Sequence, residues 1–162
     1  MIRMLYRKFT VNDFELYFQL VSDKRVMAQI TERAIPLEEA KANFEKLVTR
    51  NERDQVFGSY AFFQPETEVF IGLGHLTLDE QKSDEAELGY MLLPEQWGKG
   101  YGSTIAGILM SLMEQTNVRV IKAIIDPANK ASRKILMNKG FSSDWVGEMD
   151  GLPGEILKKE LR

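Results

Sequence analysis

Three glycines at alternate positions suggest the first chemistry of this chain. They lie in Leu92-Leu93-Pro94-Glu95-Gln96-Trp97-Gly98-Lys99-Gly100-Tyr101-Gly102-Ser103. Glycine tolerates positive φ and lets a ligand approach the backbone closely. The segment runs into an apolar helical pattern, and the first amides of a helix have no internal acceptor. Those amides and the helix dipole together make an anion site, suited to a phosphate or diphosphate. Lys99 adds a positive charge. Two other phosphate loops do not fit. The P-loop ends in Gly-Lys-Ser/Thr, whereas Lys99 precedes Gly100. The dinucleotide fingerprint is G-x-G-x-x-G on the first strand of a parallel sheet, whereas this turn is G-x-G-x-G and mid-chain. For the glycines alone, a plain strand-to-helix turn is the competing reading.

Other chemistries are bounded by what the chain holds. It has no cysteine, which excludes a disulfide framework, a zinc-thiolate site and a cysteine nucleophile. His75 is the only histidine. It precedes Glu87 by one strand, so the two either approach across a hairpin or His75 is structural. No G-x-S-x-G supports a serine hydrolase. Met91, Met110 and Met113 read as core or ligand wall, no metal-ligand cluster is visible, and Trp97 and Trp145 read as packing residues. The 21 basic and 24 acidic residues of the 162 are well mixed, for a net charge of −3. That balance gives no footprint for nucleic acid or an anionic membrane.

The elements that must position these groups follow from pattern. A length of 162 residues with 44% apolar content predicts one packed domain, residues 1–162. Met1–Thr10 lacks a signal-peptide apolar stretch, and the longest apolar-rich segment, Ile105–Met113, is too short to span a bilayer. A cytoplasmic protein is expected. Residues 2–9 predict a strand, and Thr10 a cap for a helix running to about Ser22. Leu37, Ala40, Phe44, Leu47 and Val48 predict a helix from Pro36. Strands are predicted over Val56–Phe63, Val69–Leu78 and Glu85–Leu93, as an antiparallel meander. In the last, Ala86, Leu88, Tyr90 and Leu92 share one face, and Glu85, Glu87, Gly89 and Met91 the other. A helix over Ser103–Gln115 and a strand over Val118–Ile125, read as buried on both faces, follow. The order strand, helix, strand makes that pair parallel with a right-handed crossover. A helix over Asn129–Lys139, stopped by Gly140, and two joined strands complete an α/β fold with a mixed, mostly antiparallel sheet.

Two segments in this order resemble a known family. Ala86-Glu87-Leu88-Gly89-Tyr90-Met91-Leu92-Leu93-Pro94, followed by Trp97-Gly98-Lys99-Gly100-Tyr101-Gly102, resembles motif A of the GNAT acetyltransferases. Asp126-Pro127-Ala128-Asn129-Lys130-Ala131-Ser132, followed by Asn138-Lys139-Gly140-Phe141, resembles motif B. Residues 22–48 look like the N-terminal half of the ribosomal-protein-alanine N-acetyltransferase branch (RimJ/RimL-like), so the resemblance covers nearly the whole chain. It departs from the pattern in two places. Trp97 stands at the Q/R position of motif A, and Leu136 stands where many members have a tyrosine proton donor.

The resemblance implies a GNAT-like sheet splayed between two central parallel strands, with helices on both faces. Acetyl-CoA would be the cosubstrate and an amine, a protein N-terminus or a small molecule, the acceptor. Pantetheine would use backbone groups of Met91, Leu92 and Leu93. The amides of Gly98, Lys99, Gly100, Tyr101, Gly102 and Ser103 would wrap the diphosphate. Asn129 would hydrogen-bond the pantetheine arm, and Ser132 would lie near the sulfur. Acylation needs a neutral amine, so a base is required near neutral pH. Glu87 is the candidate, directly or through water. The oxyanion needs a donor, most simply a strand amide near Leu92. Ser132 is the candidate acid in place of the missing tyrosine, with Tyr90 and Tyr101 as other possible donors. Acceptor-binding loops are expected near residues 22–36 and 144–154. A non-catalytic acyl-CoA sensor on the same fold and a nucleotide-binding protein are the alternatives. The oligomeric expectation is a monomer or homodimer.

Overall fold

The computed structural model describes residues 3–162. Thr10 caps a short 3-10 turn, Val11–Asp13, which leads into α1 (Phe14–Val21). Thr10 and Asp13 cap each other reciprocally, and Arg7 closes the corner with two bonds to the Asp13 carboxylate at 2.7 and 3.0 Å. The single helix expected from Thr10 to Ser22 is therefore a 3-10 turn followed by an α-helix. A four-residue helix, α2 (Lys24–Met27), occupies part of the irregular stretch after it, capped by Asp23. Then α3 (Leu37–Arg53) begins after Pro36, as the spacing predicts, with acidic residues in its first turn and basic ones in its last. The remaining helices are α4 (Tyr101–Met113) and α5 (Lys130–Asn138).

Seven strands form one sheet: β1 (Leu5–Lys8), β2 (Gly58–Phe63), β3 (Phe70–Leu78), β4 (Glu85–Leu92), β5 (Val120–Ile125), β6 (Ser142–Met149) and β7 (Leu152–Glu160). Their order is β1-β2-β3-β4-β5-β7-β6. Every neighbouring pair is antiparallel except β4 and β5, which are parallel. The mixed α/β fold expected from the sequence is the fold observed. β1 begins at Leu5; residue 2, where the opening strand was expected to start, lies outside the described residues. No described helix is long and apolar enough to cross a membrane.

The alternation of β4 divides the core in two. Ala86 and Leu88 turn toward α4 and pack with Ile105, Leu109 and Met113, all of them buried. Leu88, Ile105, Leu109 and Met113 each contribute about 1.5–3 kcal/mol by burial. Met91 turns the other way, against the cluster that α1 and α3 build with β2 and β3 around Phe9, Leu20, Phe44 and Leu73. Asn51 locks α3 to the sheet: its amide donates to the carbonyls of Phe9 and Ser59 and accepts from the Ser59 N–H.

β5 differs from expectation. It is buried on one face only: Ile121 and Ala123 are covered, Lys122 is bonded to Asp79 at 3.1 Å, and Ile124 is 38% exposed. The apolar run suggests two covered faces, but α1 and α3 pack on β2 and β3 and leave the far half of the sheet open on their side. Trp145 differs for the same reason. It lies on the edge strand β6, 42% exposed, with its ring over Gly147.

Candidate active site

The site is built where two strands stop pairing. β4 and β5 are joined over three residue pairs only: Glu85–Val120, Ala86–Ile121 and Glu87–Lys122. Both strands run on, to Leu92 and Ile125, without further pairing. The gap is a cleft of about 560 Å³. Its walls are Leu88 to Leu92 on one side and Ala123 to Asp126 on the other. Asn129, the N-cap of α5, and Ser132, Ile135 and Leu136 of α5 also line it, as do Arg25, Val26, Gln29 and Ile30.

Backbone direction along β4 decides which groups face the gap. The Leu93 N–H donates to Ile71 of β3 at 3.0 Å, and the Met91 carbonyl points at Gly72 of β3, so close that a Cβ at Gly72 would lie 2.3 Å from it. Strand groups alternate sides residue by residue. The backbones of Leu88, Tyr90 and Leu92 therefore face the cleft, and those of Met91 and Leu93 do not. This corrects the expectation for Met91 and Leu93 as backbone ligands. Met91 keeps a place in the wall through its side chain, whereas Leu93 is buried, outside the wall, with its carbonyl taken by Gln96. The Leu92 carbonyl accepts from the Trp97 indole at 3.0 Å. Trp97 is thus a strut of the turn at the cleft mouth, 48% exposed, and not a core residue.

The glycine turn has the form an anion site requires. Gly98 and Gly100 have φ of 75° and 85°, left-handed values that side chains other than glycine adopt at a cost. Gly100 is the N-cap of α4, with no side chain capping it, and the first helical bond runs from Thr104 back to Gly100. Among the described residues, none of the six amides from Gly98 to Ser103 donates to a protein acceptor. Gly98, Gly100, Tyr101 and Gly102 line the cleft; Lys99 and Ser103 contribute to the turn without lining it.

Asn129 and Ser132 lie together on the α5 side. Asn129 caps α5 by accepting from the Ser132 N–H at 3.2 Å. Arg133, the next residue, anchors the helix to buried Glu155 of β7 at 3.0 Å. Leu136, at the place of the absent tyrosine, is a buried core residue. Glu87 sits at the closed end of the gap, outside the cleft wall, facing the α1 and α3 side of the sheet. Burial raises its pKa above the ordinary carboxylate value, and Lys122 opposes that shift. His75 is paired with Gly89, not with Glu87, which is paired with Thr77. Its ring lies over Gly89, where a Cβ would be 2.3 Å from Nε2, and it contacts the Thr77 hydroxyl at 3.3 Å. Burial and Arg50 push its pKa down to about 4, so it is neutral at pH 7.

Tyr90 was weighted too lightly by sequence. Its hydroxyl is buried and, among the described residues, is the only buried side-chain polar atom without a hydrogen-bond partner. Burial raises its pKa; the Ser132 side chain is near enough to offset part of that, but no hydrogen bond of normal geometry joins them. The alternation of β4 placed Tyr90 on the apolar face, and only the position of α5 shows what its hydroxyl meets.

Comparison with known proteins agrees with this geometry. The family model of the acetyltransferase (GNAT) domain matches residues 3–142. An uncharacterized N-acetyltransferase of Schizosaccharomyces pombe is 31% identical over 125 residues, covering 71% of this chain and 66% of that protein. The crystal structure of a putative phosphinothricin N-acetyltransferase superposes with a TM-score of 0.82 at 19% identity, over 99% of both chains. Spermidine N-acetyltransferase from Vibrio cholerae, solved with CoA and spermine, superposes with a TM-score of 0.80 at 17% identity, over 97% of this chain and 95% of that one. With a matching family model over most of its length, a sheet parted at its one parallel pair and an uncapped glycine turn beside the gap, the chain belongs to the GNAT acetyltransferase family.

Proposed function

We propose that this chain transfers an acetyl group from acetyl-CoA directly to a primary amine held in the same complex. The acceptor class is a protein N-terminus or a small-molecule amine. The observation that carries the reading is the row of six amides, Gly98 to Ser103, unpartnered among the described residues, at the end of the parted strands. A diphosphate satisfies such amides, and the adjoining cleft of about 560 Å³ has the volume and the apolar wall for a pantetheine arm.

When bound, acetyl-CoA supplies an activated acetyl group on a thiol leaving group. The chain supplies the rest. The Leu92 amide, directed into the gap, faces the oxygen on which negative charge builds. Glu87 takes the ammonium proton of the acceptor through water, since it lies outside the cleft wall on the side opposite α5. Its raised pKa keeps it a stronger base than an exposed carboxylate. Asn129 and Ser132 hold the arm and the sulfur end from the α5 side. Arg25, Gln29 and Ile30 border the cleft, and the acceptor enters between them in this reading.

Two measurements test the reading. Calorimetry should show acetyl-CoA binding in preference to ATP or NAD. A thiol-release assay over a panel of peptides, polyamines and amino acids should show turnover with at least one amine class. Binding without turnover on any amine would support an acyl-CoA sensor instead.

A further inference from the structure

We propose that the acceptor is a small primary amine with one positive charge and an apolar body. Its nitrogen reaches the gap between β4 and β5, and its body lies along the row Ile124, Ile156 and Trp145. The inference rests on the acetyltransferase reading above and names the substrate class of that same site.

The first observation is the face on which the row stands. Glu87 pairs with Lys122 across the parallel strands, on the α1 and α3 side of the sheet. Ile124 is two residues beyond Lys122 on β5, so it projects from the same face. Ile124 pairs with Ile156 of β7, and Ile156 pairs with Trp145 of β6. Directly opposed residues share a face. Their chain neighbours Ala123 and Leu157 turn the other way, into the buried cluster under α4. The proposed base and the apolar row therefore lie on one side of the sheet, the side opposite α5.

The second observation is continuity with the cleft. Ile124 lines the cleft and is 38% exposed, so one side chain belongs to both the gap and the open face. Strands stand about 4.8 Å apart, so the row runs about 10 Å from Ile124 to Trp145. Beyond Ile156, the Trp145 ring lies over Gly147 and Met149 lies over Gly154, which extends the apolar surface. Val26 and exposed Ile30 also line the cleft, and Val26 packs with the α1 and α3 cluster on this same side. Single exposed apolar residues are ordinary, whereas a contiguous row joined to a cleft marks a binding surface.

Charge decides what covers it. Each further ammonium of a polyamine needs its own carboxylate, since burial of an unpaired charge is costly. Among the described residues, the one carboxylate lining the cleft is Asp126, which accepts from the Ala128 N–H at 2.9 Å; the cations Arg25 and Lys134 line it too. The carboxylates around the row are already paired with lysines. Asp79 holds Lys122 at 3.1 Å, and Lys158 lies 3.6 Å from Asp144 and 4.0 Å from Glu85. Glu87 serves the reacting nitrogen. An uncharged body needs no such partner, and it removes Ile124, Ile156 and Trp145 from water.

The test compares 4-phenylbutylamine with spermidine, which is of similar length but carries several charges. Ethanolamine is the short control, and the tripeptide Ala-Ser-Gly stands for a polar protein N-terminus. The readouts are kcat/KM and calorimetric binding of each amine to protein saturated with CoA. The wild type should favour 4-phenylbutylamine over spermidine and the tripeptide by about tenfold or more. Trp145→Ser should lose on the order of tenfold for 4-phenylbutylamine by both readouts. It should leave ethanolamine within about twofold, because so short an amine does not reach Trp145; a general defect would lower both amines alike. Spermidine or the tripeptide used as well as 4-phenylbutylamine overturns the proposal and leaves the acetyltransferase reading standing. So does a Trp145→Ser variant that keeps 4-phenylbutylamine within twofold or loses ethanolamine equally. Turnover with no amine of any class overturns both. If Trp145→Ser does not fold, Ile156→Thr carries the same expectation and the same result against it.

Discussion

Deleting the Tyr90 hydroxyl should make the free protein more stable, and the sign of that change separates a functional group from a structural one. Tyr90→Phe removes one oxygen that is buried and has no partner among the described residues. An unsatisfied buried polar group costs about 1–3 kcal/mol. The ring is partly exposed and Ser132 lies nearby, so the low end applies, about 1 kcal/mol. For a chain of this size that is a rise in Tm of about 2–4 °C. A hydroxyl engaged in an ordinary hydrogen bond would give the opposite sign, a loss of about 0.5–1.5 kcal/mol. Calorimetric unfolding at pH 7 without ligand is the assay. The measurement should be repeated with saturating CoA. The wild type then satisfies its hydroxyl and should show the larger ligand-induced rise in Tm. A fall of 2 °C or more in the unliganded variant would refute the reasoning, because it would mean that the fold itself uses the hydroxyl.

Three further outcomes are expected. Gly100→Ala places a side chain at φ 85°; the strain of about 1–2 kcal/mol should lower Tm by a few degrees. It should also weaken CoA binding at least tenfold (one lost charge-assisted contact is about that much) while sparing pantetheine, which has no diphosphate; equal losses for both ligands would contradict the cradle. Glu87→Gln should reduce kcat about a hundredfold and abolish the acid limb of the pH profile. The folded pKa of Glu87 lies above its ordinary value, so its contribution to stability is full below that ordinary value and is lost as pH rises through the folded pKa; Glu87→Gln should therefore be at least as stable as wild type at pH 7, and a clear fall in Tm there would show that its charge is paired. Asn51→Ala unpairs the Phe9 carbonyl and the Ser59 N–H, while the Ser59 carbonyl keeps the Phe9 N–H, and should cost about 2–3 kcal/mol, read as a lowered urea midpoint with kcat unchanged; a catalytic defect in the folded variant would tie α3 to the site.

What the sequence determined is what short-range rules control. The period-two alternation of Glu85 to Leu92, the three- and four-residue spacing after Pro36 and the turn at Gly98–Gly102 each follow from residues close together in the chain. They placed β4, α3 and the glycine turn where the structure has them. The strand-helix-strand order likewise fixed the parallel pair of β4 and β5. Tertiary structure decided matters that depend on distant elements. Which backbone groups of β4 face the gap was set by its bonds to β3, which turn Met91 and Leu93 away and leave Leu92 and Tyr90 toward the gap. The exposure of Ile124 and Trp145 was set by how far α1 and α3 reach across the sheet, which no local pattern encodes. The unpartnered hydroxyl of Tyr90 exists because α5, 40 residues further along the chain, comes to rest with Ser132 beside it but not bonded to it. A hydrogen bond is a matter of tenths of an ångström between chain-distant atoms, and residue spacing carries no such information.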